Sequence, residues 1–329
     1  MNAILFLVND RNLLKTTGTN WTLMRACHAL GTEVYITDVT HLEAHSAVSL
    51  HAEAIRVPLR GKKTEHKTVP IAECDSVLMD LKQFSTILIR TTPGRDIAKS
   101  WAHRLALEVM RLASELGINV VNEPAGLQKA SSKLYTVYLP PEYVPRTKVC
   151  HTHASVIQFA KELACPFVVK PLLGSQGRDV YFFDGVDARN LRQVIDNLGG
   201  TGYLVVQEFL PEATEGDIRV LTLNDGLFGE NKPRGIKRTP ATGEIRSNVS
   251  LGGRASVVEL NPPQIALCTK IARQLNNDGI RFAGLDLIGD KVVEVNVFSP
   301  SGLQELEPLI SPTEWVGLIE QLTVESDRS

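Results

Sequence analysis

The chain has 329 residues, 43% of them hydrophobic and 22% charged, enough for one large domain or two to three small ones with a real core. Its formal net charge is −2 and its 24 glycines and 17 prolines are near average usage, which argues against nucleic acid as the main partner and against a disordered or fibrous class. Five scattered cysteines (Cys27, Cys74, Cys150, Cys165, Cys268) form no C-x-x-C pair, so neither a disulfide framework nor a zinc site is expected and a reducing compartment is.

The apolar run Ala3–Val8 has no basic region before it and reads as a buried first strand, not a signal peptide. No stretch reaches the length needed to span a bilayer, so a cytoplasmic protein without a membrane partner is expected. Trp21–Leu30 is helix-like and stops at Gly31, and Glu33–Thr37 alternates as a strand. The stretch His41 to Lys67 reads as surface loop and short elements. Thr86–Ile89 is a β-branched strand, Ala98–Leu116 has helical spacing ending at Gly117, and Asn119–Val121 restarts a strand. Strands alternating with helices predict a doubly wound parallel sheet over residues 1–125.

A second region, 126–205, opens with a predicted helix around Ala130–Leu139, stopped by Pro140-Pro141. Strand Phe167–Lys170, a glycine turn Gly174–Gly177, strand Val180–Phe183 and helix Ala188–Leu198 follow, and a Gly199–Gly202 turn leads into the next strand. The third region, 206–329, contributes strands over Leu204–Gln207 (at its border), Ile218–Leu223, Phe282–Ile288 and Val292–Val297. Helix Pro262–Leu275 begins with the proline that a first turn tolerates.

Four segments carry chemistry. Asp286 lies on a strand joined by a tight Gly289-Asp290-Lys291 turn to one bearing Glu294 and Asn296 on a single face. Two carboxylates and an amide oxygen make a site suited to Mg²⁺ held with phosphates, although strand acids facing water account equally well for this segment alone. Lys170 ends an apolar strand and precedes the Gly174–Gly177 turn, an arrangement that can bind anions but is neither a Walker motif nor G-x-G-x-x-G. Gln207-Glu208-Phe209-Leu210 ends a strand that resumes at Asp217 and Arg219; a strand end can read an adenine edge, and an ordinary acidic loop fits too. Finally, Arg238 and Arg246 border a stretch ending in Gly252-Gly253-Arg254, which suits a mobile basic loop or a solvated hairpin. The pairs His41/His45 and His151/His153 lack the partners of a zinc site and read as loop histidines.

In this order the segments resemble the ATP-grasp superfamily, most closely the bacterial glutathione synthetases. The matching residues are Lys170-Pro171-Leu172, Gly174 to Gly177, Gln207 to Pro211, Gly216 to Val220, Arg238 to Arg254, Gly284 to Gly289 and Glu294 to Pro300, with Val121-Asn122-x-Pro124, Lys133-Leu134 and Arg90-x-x-Pro93 upstream. The resemblance implies an α/β ATP-grasp fold: an N-terminal doubly wound parallel-sheet (pre-ATP-grasp) domain at 1–125, a lid subdomain at 126–205 and a catalytic subdomain at 206–329. It implies ATP contacts from Lys133, Lys170, Gly174, Gly177, Gln207, Glu208, Phe209, Leu210, Asp217 and Asn248. Mg²⁺ or Mn²⁺ would be held by Asp286, Glu294 and Asn296, and Arg219, Arg238 and Arg246 would face an acyl phosphate or substrate carboxylates.

The implied activity is ATP-dependent amide formation from a carboxylate and an amine, with γ-glutamylcysteine and glycine as substrates, in a homo-oligomer. The Gly174-Ser175-Gln176-Gly177 turn is also similar to RimK-type ligases, which add glutamate or other amino acids to a carboxyl terminus. A catalytically silent nucleotide-binding regulator is the third reading; the intact Lys133, Lys170, Asp286, Glu294 and Asn296 oppose it.

Overall fold

Three sheets follow one another along the chain in a computed structural model that describes residues 3–59, 71–174, 179–200, 202–229, 232–240 and 253–324. The first contains β1 (Ala3–Val8), β2 (Glu33–Asp38), β3 (Leu42–Ser46), β4 (Ser49–Arg56), β5 (Ser76–Asp80), β6 (Thr86–Ile89) and β7 (Asn119–Val121), in the order β3-β4-β2-β1-β6-β7 with β5 beside β4. The core β2-β1-β6-β7 is parallel. All six residues of β1 are buried, as an apolar run covered on both faces should be. Helices α1 (Thr19–Ala29), α2 (Ser100–Glu115) and α3 (Pro124–Lys129) complete this unit.

Two expectations are corrected here. The His41–Lys67 stretch is more ordered than surface loop and short elements: β3 and the eight-residue β4 form an antiparallel extension paired to β2, with irregular chain at 57–59 after it. In β4, Leu50, Ala52 and Ala54 are buried while Ser49, His51 and Glu53 are half-buried, so the period-2 signal was present over 49–54 but written partly in small residues. Residues 60–67 of that stretch lie outside the described residues. The predicted helix over Ala130–Leu139 is instead a 3-10 helix, Lys133–Tyr138, that follows the Ala130 C-cap of α3 and whose start is capped by the Ser132 side chain accepting from Leu134 N–H. A six-residue apolar-aromatic run before two prolines is too short for a stable α-helix.

The second sheet is antiparallel, with β8 (Thr147–Cys150), β9 (Phe167–Pro171), β10 (Tyr181–Phe183) and β11 (Leu204–Glu208) in the order β10-β9-β11-β8. Helices α4 (His153–Leu163) and α5 (Leu191–Gly199) cover one face, and Val156, Phe167, Val169, Ile195, Leu204 and Val206 belong to a core of its own.

The third sheet contains β12 (Asp217–Leu223), β13 (Gly226–Leu227), β14 (Arg234–Thr239), β15 (Arg254–Glu259), β16 (Phe282–Ile288) and β17 (Lys291–Asn296), ordered β15-β14-β12-β16-β17 with β13 beside β12. Helix α6 (Pro262–Asn277) starts with a capping box of Asn261 and Gln264, and α7 (Leu303–Leu306) and α8 (Pro312–Thr323) end the described chain. This sheet does not have a private core. One buried cluster runs from Leu5, Leu7 and Met110 to Leu267, Ile271 and Leu285, welding the first unit to the third. Asn122 reinforces the weld: its Nδ2 donates to the carbonyls of Phe282 and Val297, each at 2.7 Å, and its Oδ1 accepts from Phe282 N–H at 2.8 Å.

Candidate active site

Antiparallel register determines the site. Asp217 pairs with Arg238, Arg219 with Asp286, Asp286 with Glu294 and Gly284 with Asn296, so six polar residues from β12, β14, β16 and β17 share one face. Arg219 clamps Asp286 bidentately, Nε to Oδ1 at 2.5 Å and Nη2 to Oδ2 at 2.9 Å. Arg238 does the same to Asp217 at 2.6 and 2.8 Å, and its Nη2 lies 2.9 Å from Asp286 Oδ1. Burial alone would push the Asp286 carboxyl up, but Arg219 and Arg238 outweigh it and hold it down to about 2. For Arg238, burial lowers the guanidinium pKa and the Asp286 and Asp217 carboxylates more than reverse that.

Two glycines of the motifs have steric reasons. A Cβ at Gly284 would stand 2.9 Å from Arg219 Cδ, so only glycine leaves the arginine its path across β16 to Asp286. Gly216 has φ +104°, and a Cβ there would stand 2.1 Å from the Arg238 carbonyl. Gly216→Ala is therefore expected to push β14 away from Asp217, costing at least about 1–2 kcal/mol from backbone strain alone. Urea unfolding checks this; an unchanged midpoint would contradict it.

Two lysines approach these acids, Lys170 from the second sheet and Lys133 from the 3-10 helix that precedes it. Lys170, at the end of β9, is only 8% exposed; its Nζ donates to Gln207 Oε1 at 2.9 Å, and Gln207 Nε2 donates to Thr147 Oγ1 at 2.8 Å. Burial pushes its ammonium down to about 8, and nearby Glu294 opposes that fall while Lys133 adds to it. Lys133 is likewise lowered by burial and supported by Glu294, and its Nζ donates to the Gly174 carbonyl at 3.0 Å. Glu294 on β17 thus acts on both lysines, which ties Lys133 and Lys170 to the acidic face of the third sheet.

The strand-end segment is more occupied than its sequence suggested. Glu208 is engaged by Arg146 through N–H at 3.2 Å and Nε at 3.3 Å, and Phe209 meets Phe182 edge-on at 4.7 Å. The Glu208 and Phe209 N–H groups donate to the carbonyls of Arg146 and Pro166, and Leu210 leads into the 3-10 turn at Pro211–Glu215. Gly177, Arg246 and Asn248 lie outside the described residues.

Asp286, Glu294 and Asn296 carry only oxygen donors on adjoining strands, and Asp286 is kept ionised; this set fits a hard divalent cation once Asp286 exchanges one of its Arg219, Arg238 or Asn296 contacts for the metal. Asn296 Nδ2 donates to Asp286 Oδ2 at 3.2 Å, so its Oδ1 is the atom left for a cation. Among the described residues no three His, Cys, Asp or Glu side chains group as a metal site, so the amide is needed to complete the set. Sequence reasoning missed the Arg–Asp lattice itself, along with Thr147 and Arg146. The Asp217-x-Arg219 spacing, opposite charges on one strand face, was the signal available.

Solved structures define the class of fold. The chain superposes on D-cycloserine synthetase DcsG with a TM-score of 0.64 at 16% identity, covering 97% of this chain and 99% of that one. It superposes on the ATP-grasp ligase PsnB complexed with a minimal precursor with a TM-score of 0.60 at 16% identity, covering 96% and 98%. The fold is therefore ATP-grasp. Residues 3–128 match the N-terminal domain of prokaryotic glutathione synthetase and residues 132–311 its ATP-grasp domain. A glutathione synthetase of Synechococcus elongatus is 30% identical over 296 residues, 87% of each chain. The chain belongs to the prokaryotic glutathione synthetase family, ATP-dependent ligases that form an amide bond.

Proposed function

We propose that the chain joins γ-glutamylcysteine to glycine, with ATP converted to ADP and phosphate. The observation that carries this reading is the pairing of two buried lysines, Lys133 and Lys170, with the Arg219/Arg238/Asp286 face in a chain that matches glutathione synthetase over both of its domains. A carboxylate is a poor electrophile, so an oxygen of the cysteinyl carboxylate attacks the γ-phosphorus of ATP, ADP leaves, and an acyl phosphate forms. The glycine amine, having lost its proton, attacks the acyl carbon and phosphate departs.

Lys170 and Lys133 supply positive charge to the phosphates, and Lys170 needs no reorientation because Gln207 and Thr147 already fix it. Arg219 and Arg238 place two guanidiniums where acyl-phosphate and tetrahedral-adduct charge develops. Asp217 and Asp286 hold those guanidiniums in place. Mg²⁺ or Mn²⁺, held by Asp286, Glu294 and Asn296, would neutralise phosphate charge. Arg246 and Asn248 belong to the same proposal as closing groups over the reacting phosphate.

Three working units are proposed: 1–125, a lid, and a catalytic unit. Because β11 runs Leu204–Glu208 within the second sheet, we draw the lid's end after Glu208 and not at 205. No helix among the described residues is long and apolar enough to cross a membrane. A cytoplasmic homo-oligomer is our working assignment, for which sedimentation velocity is the test of assembly.

The test of function is ADP release from the purified chain with ATP, Mg²⁺ and a panel of carboxylate and amine pairs. Activity is expected with γ-glutamylcysteine and glycine. Silence on that pair, with turnover on glutamate and a peptide carboxyl terminus, would overturn the reading in favour of a RimK-type ligase.

A further inference from the structure

Arg90 follows β6 and is 5% exposed, yet no carboxylate neutralises it among the described residues. Its Nε donates to Asn20 Oδ1 at 2.8 Å and its Nη2 to the Pro300 carbonyl at 2.9 Å, and its guanidinium lies 5.6 Å from the Phe282 ring centroid. Burial alone draws its pKa down to about 9. A buried cation facing only neutral oxygens is costly, and an anion arriving from outside the chain would relieve that cost.

Its position says which anion. In the first sheet β1 lies between β2 and β6, so the chain leaves β1 for α1 on one side and β6 for α2 on the other. Arg90 sits at the carboxyl end of that switch point, where open α/β sheets receive ligands. Helix α1 starts beside it: Asn20 is its second residue, and its N-cap, Gly18, supplies no side chain to the first-turn N–H groups. One loop separates Arg90 from the reaction face. Pro300 accepts from Arg90, and the next residue, Ser301, accepts from Arg219 Nη1 through its carbonyl at 3.3 Å and its hydroxyl at 3.4 Å. Thr19 Oγ1 closes the same loop, accepting from Gly302 N–H at 3.1 Å and Leu303 N–H at 3.3 Å.

We propose that Arg90 binds the non-reacting carboxylate of the acceptor, the α-carboxylate at its γ-glutamyl end, an inference that rests on the function proposed above. The reacting carboxylate of the same dipeptide goes to the Arg219/Arg238 face, and the loop Ser299–Gly302 lies between the two anchoring points. Arg90 is then the residue that selects an acceptor carrying a second acid group. Its remaining nitrogen, Nη1, forms no hydrogen bond with a described residue and is the one available to the ligand.

The experiment crosses two enzymes with two acceptors: wild type and Arg90→Gln, each with γ-glutamylcysteine and with its analogue in which the glutamyl α-carboxylate is a carboxamide. Wild type should lose about 10–100-fold in kcat/KM on the analogue, the loss of one charge-assisted contact. Arg90→Gln should show the same loss on the natural acceptor, mostly in its KM, with KM for ATP within about twofold. The two losses should not add, since both delete one contact, and Arg90→Lys should recover part of the natural acceptor's KM.

Full discrimination against the analogue retained by Arg90→Gln would overturn the inference, as would a fall in kcat with acceptor KM unchanged. Should Arg90→Gln not fold, as judged by circular dichroism, equal use of both acceptors by wild type would still overturn it. A wild type silent on γ-glutamylcysteine and glycine would instead overturn the substrate assignment, and the inference with it.

Discussion

Asp286→Asn is expected to lower turnover by about three orders of magnitude, because it removes at once a metal-binding charge and the anchor of two reaction-facing arginines. The isosteric amide keeps the volume and loses the charge, so the Arg219 and Arg238 guanidiniums lose the one carboxylate they share among the described residues and repel each other more strongly. Breaking a buried ion pair from one side costs about 3–5 kcal/mol, and the Asp286 and Arg219 side chains are 6% and 7% exposed, so solvent does little to reduce it.

The sign of the pH dependence follows from the direction of the shift. Asp286 is held below its ordinary value of 3.8, to about 2, so the folded chain binds fewer protons than the unfolded one in that window. Its stabilisation is fully present above the unfolded value and is lost as pH falls through 2. Guanidinium unfolding of both proteins should give a stability difference that is constant from pH 7 to about 4 and shrinks towards pH 2. A difference independent of pH would refute the ionised, arginine-clamped Asp286, and near-normal turnover would refute its role in the reaction.

Lys170→Met is the second large effect, and it separates stability from activity. The ammonium is buried, ordered by Gln207, and lowered to about 8. Removing it should reduce kcat/KM for ATP by roughly 10²-fold. In the free enzyme the lysine loses its proton as pH rises through about 8, so KM for ATP should climb between pH 7 and 9 in the wild type. The climb should be absent in Lys170→Arg, which stays charged throughout.

Stability runs the other way. The folded pKa lies below the unfolded 10.5, so burying the charged form costs stability below about 8 and that cost is relieved as pH rises towards 10.5. Lys170→Met should therefore be at least as stable as wild type at pH 7, by up to about 3 kcal/mol before the lost Gln207 contact is subtracted. A site kept costly for function behaves this way. A flat KM profile in the wild type, or a Lys170→Met protein that is markedly less stable at pH 7, would refute the buried-ammonium reading.

Much of the architecture was written in local pattern. The six apolar residues of β1, the 3.6-period face of α2 and the proline-led start of α6 each fold as their sequence reads, because in each the burial pattern and the end signals agree. The hairpin carrying Asp286 and Glu294 was legible for the same reason: alternation and a tight glycine turn determine which side chains face together. Where signals were weak the reading failed. The alternation of β4 is carried partly by alanines, and Lys133–Tyr138 has an apolar run without the length for an α-helix.

What the amino-acid sequence determined by itself was the order of elements, the oxygen-rich strand pair and the two lysines that face it. Tertiary structure alone decided how those charges are partnered. Arg219, Arg238, Asp217 and Asp286 come from three strands up to 69 positions apart, and nothing local specifies that they interlock into a neutral lattice. It alone also left Arg90 without an acid among the described residues, since its neighbours Asn20 and Pro300 lie 70 and 210 positions away. The physical reason is that alternation and helical period depend on adjacent residues, whereas the energy of a buried charge depends on whichever groups the finished fold brings within a few ångströms.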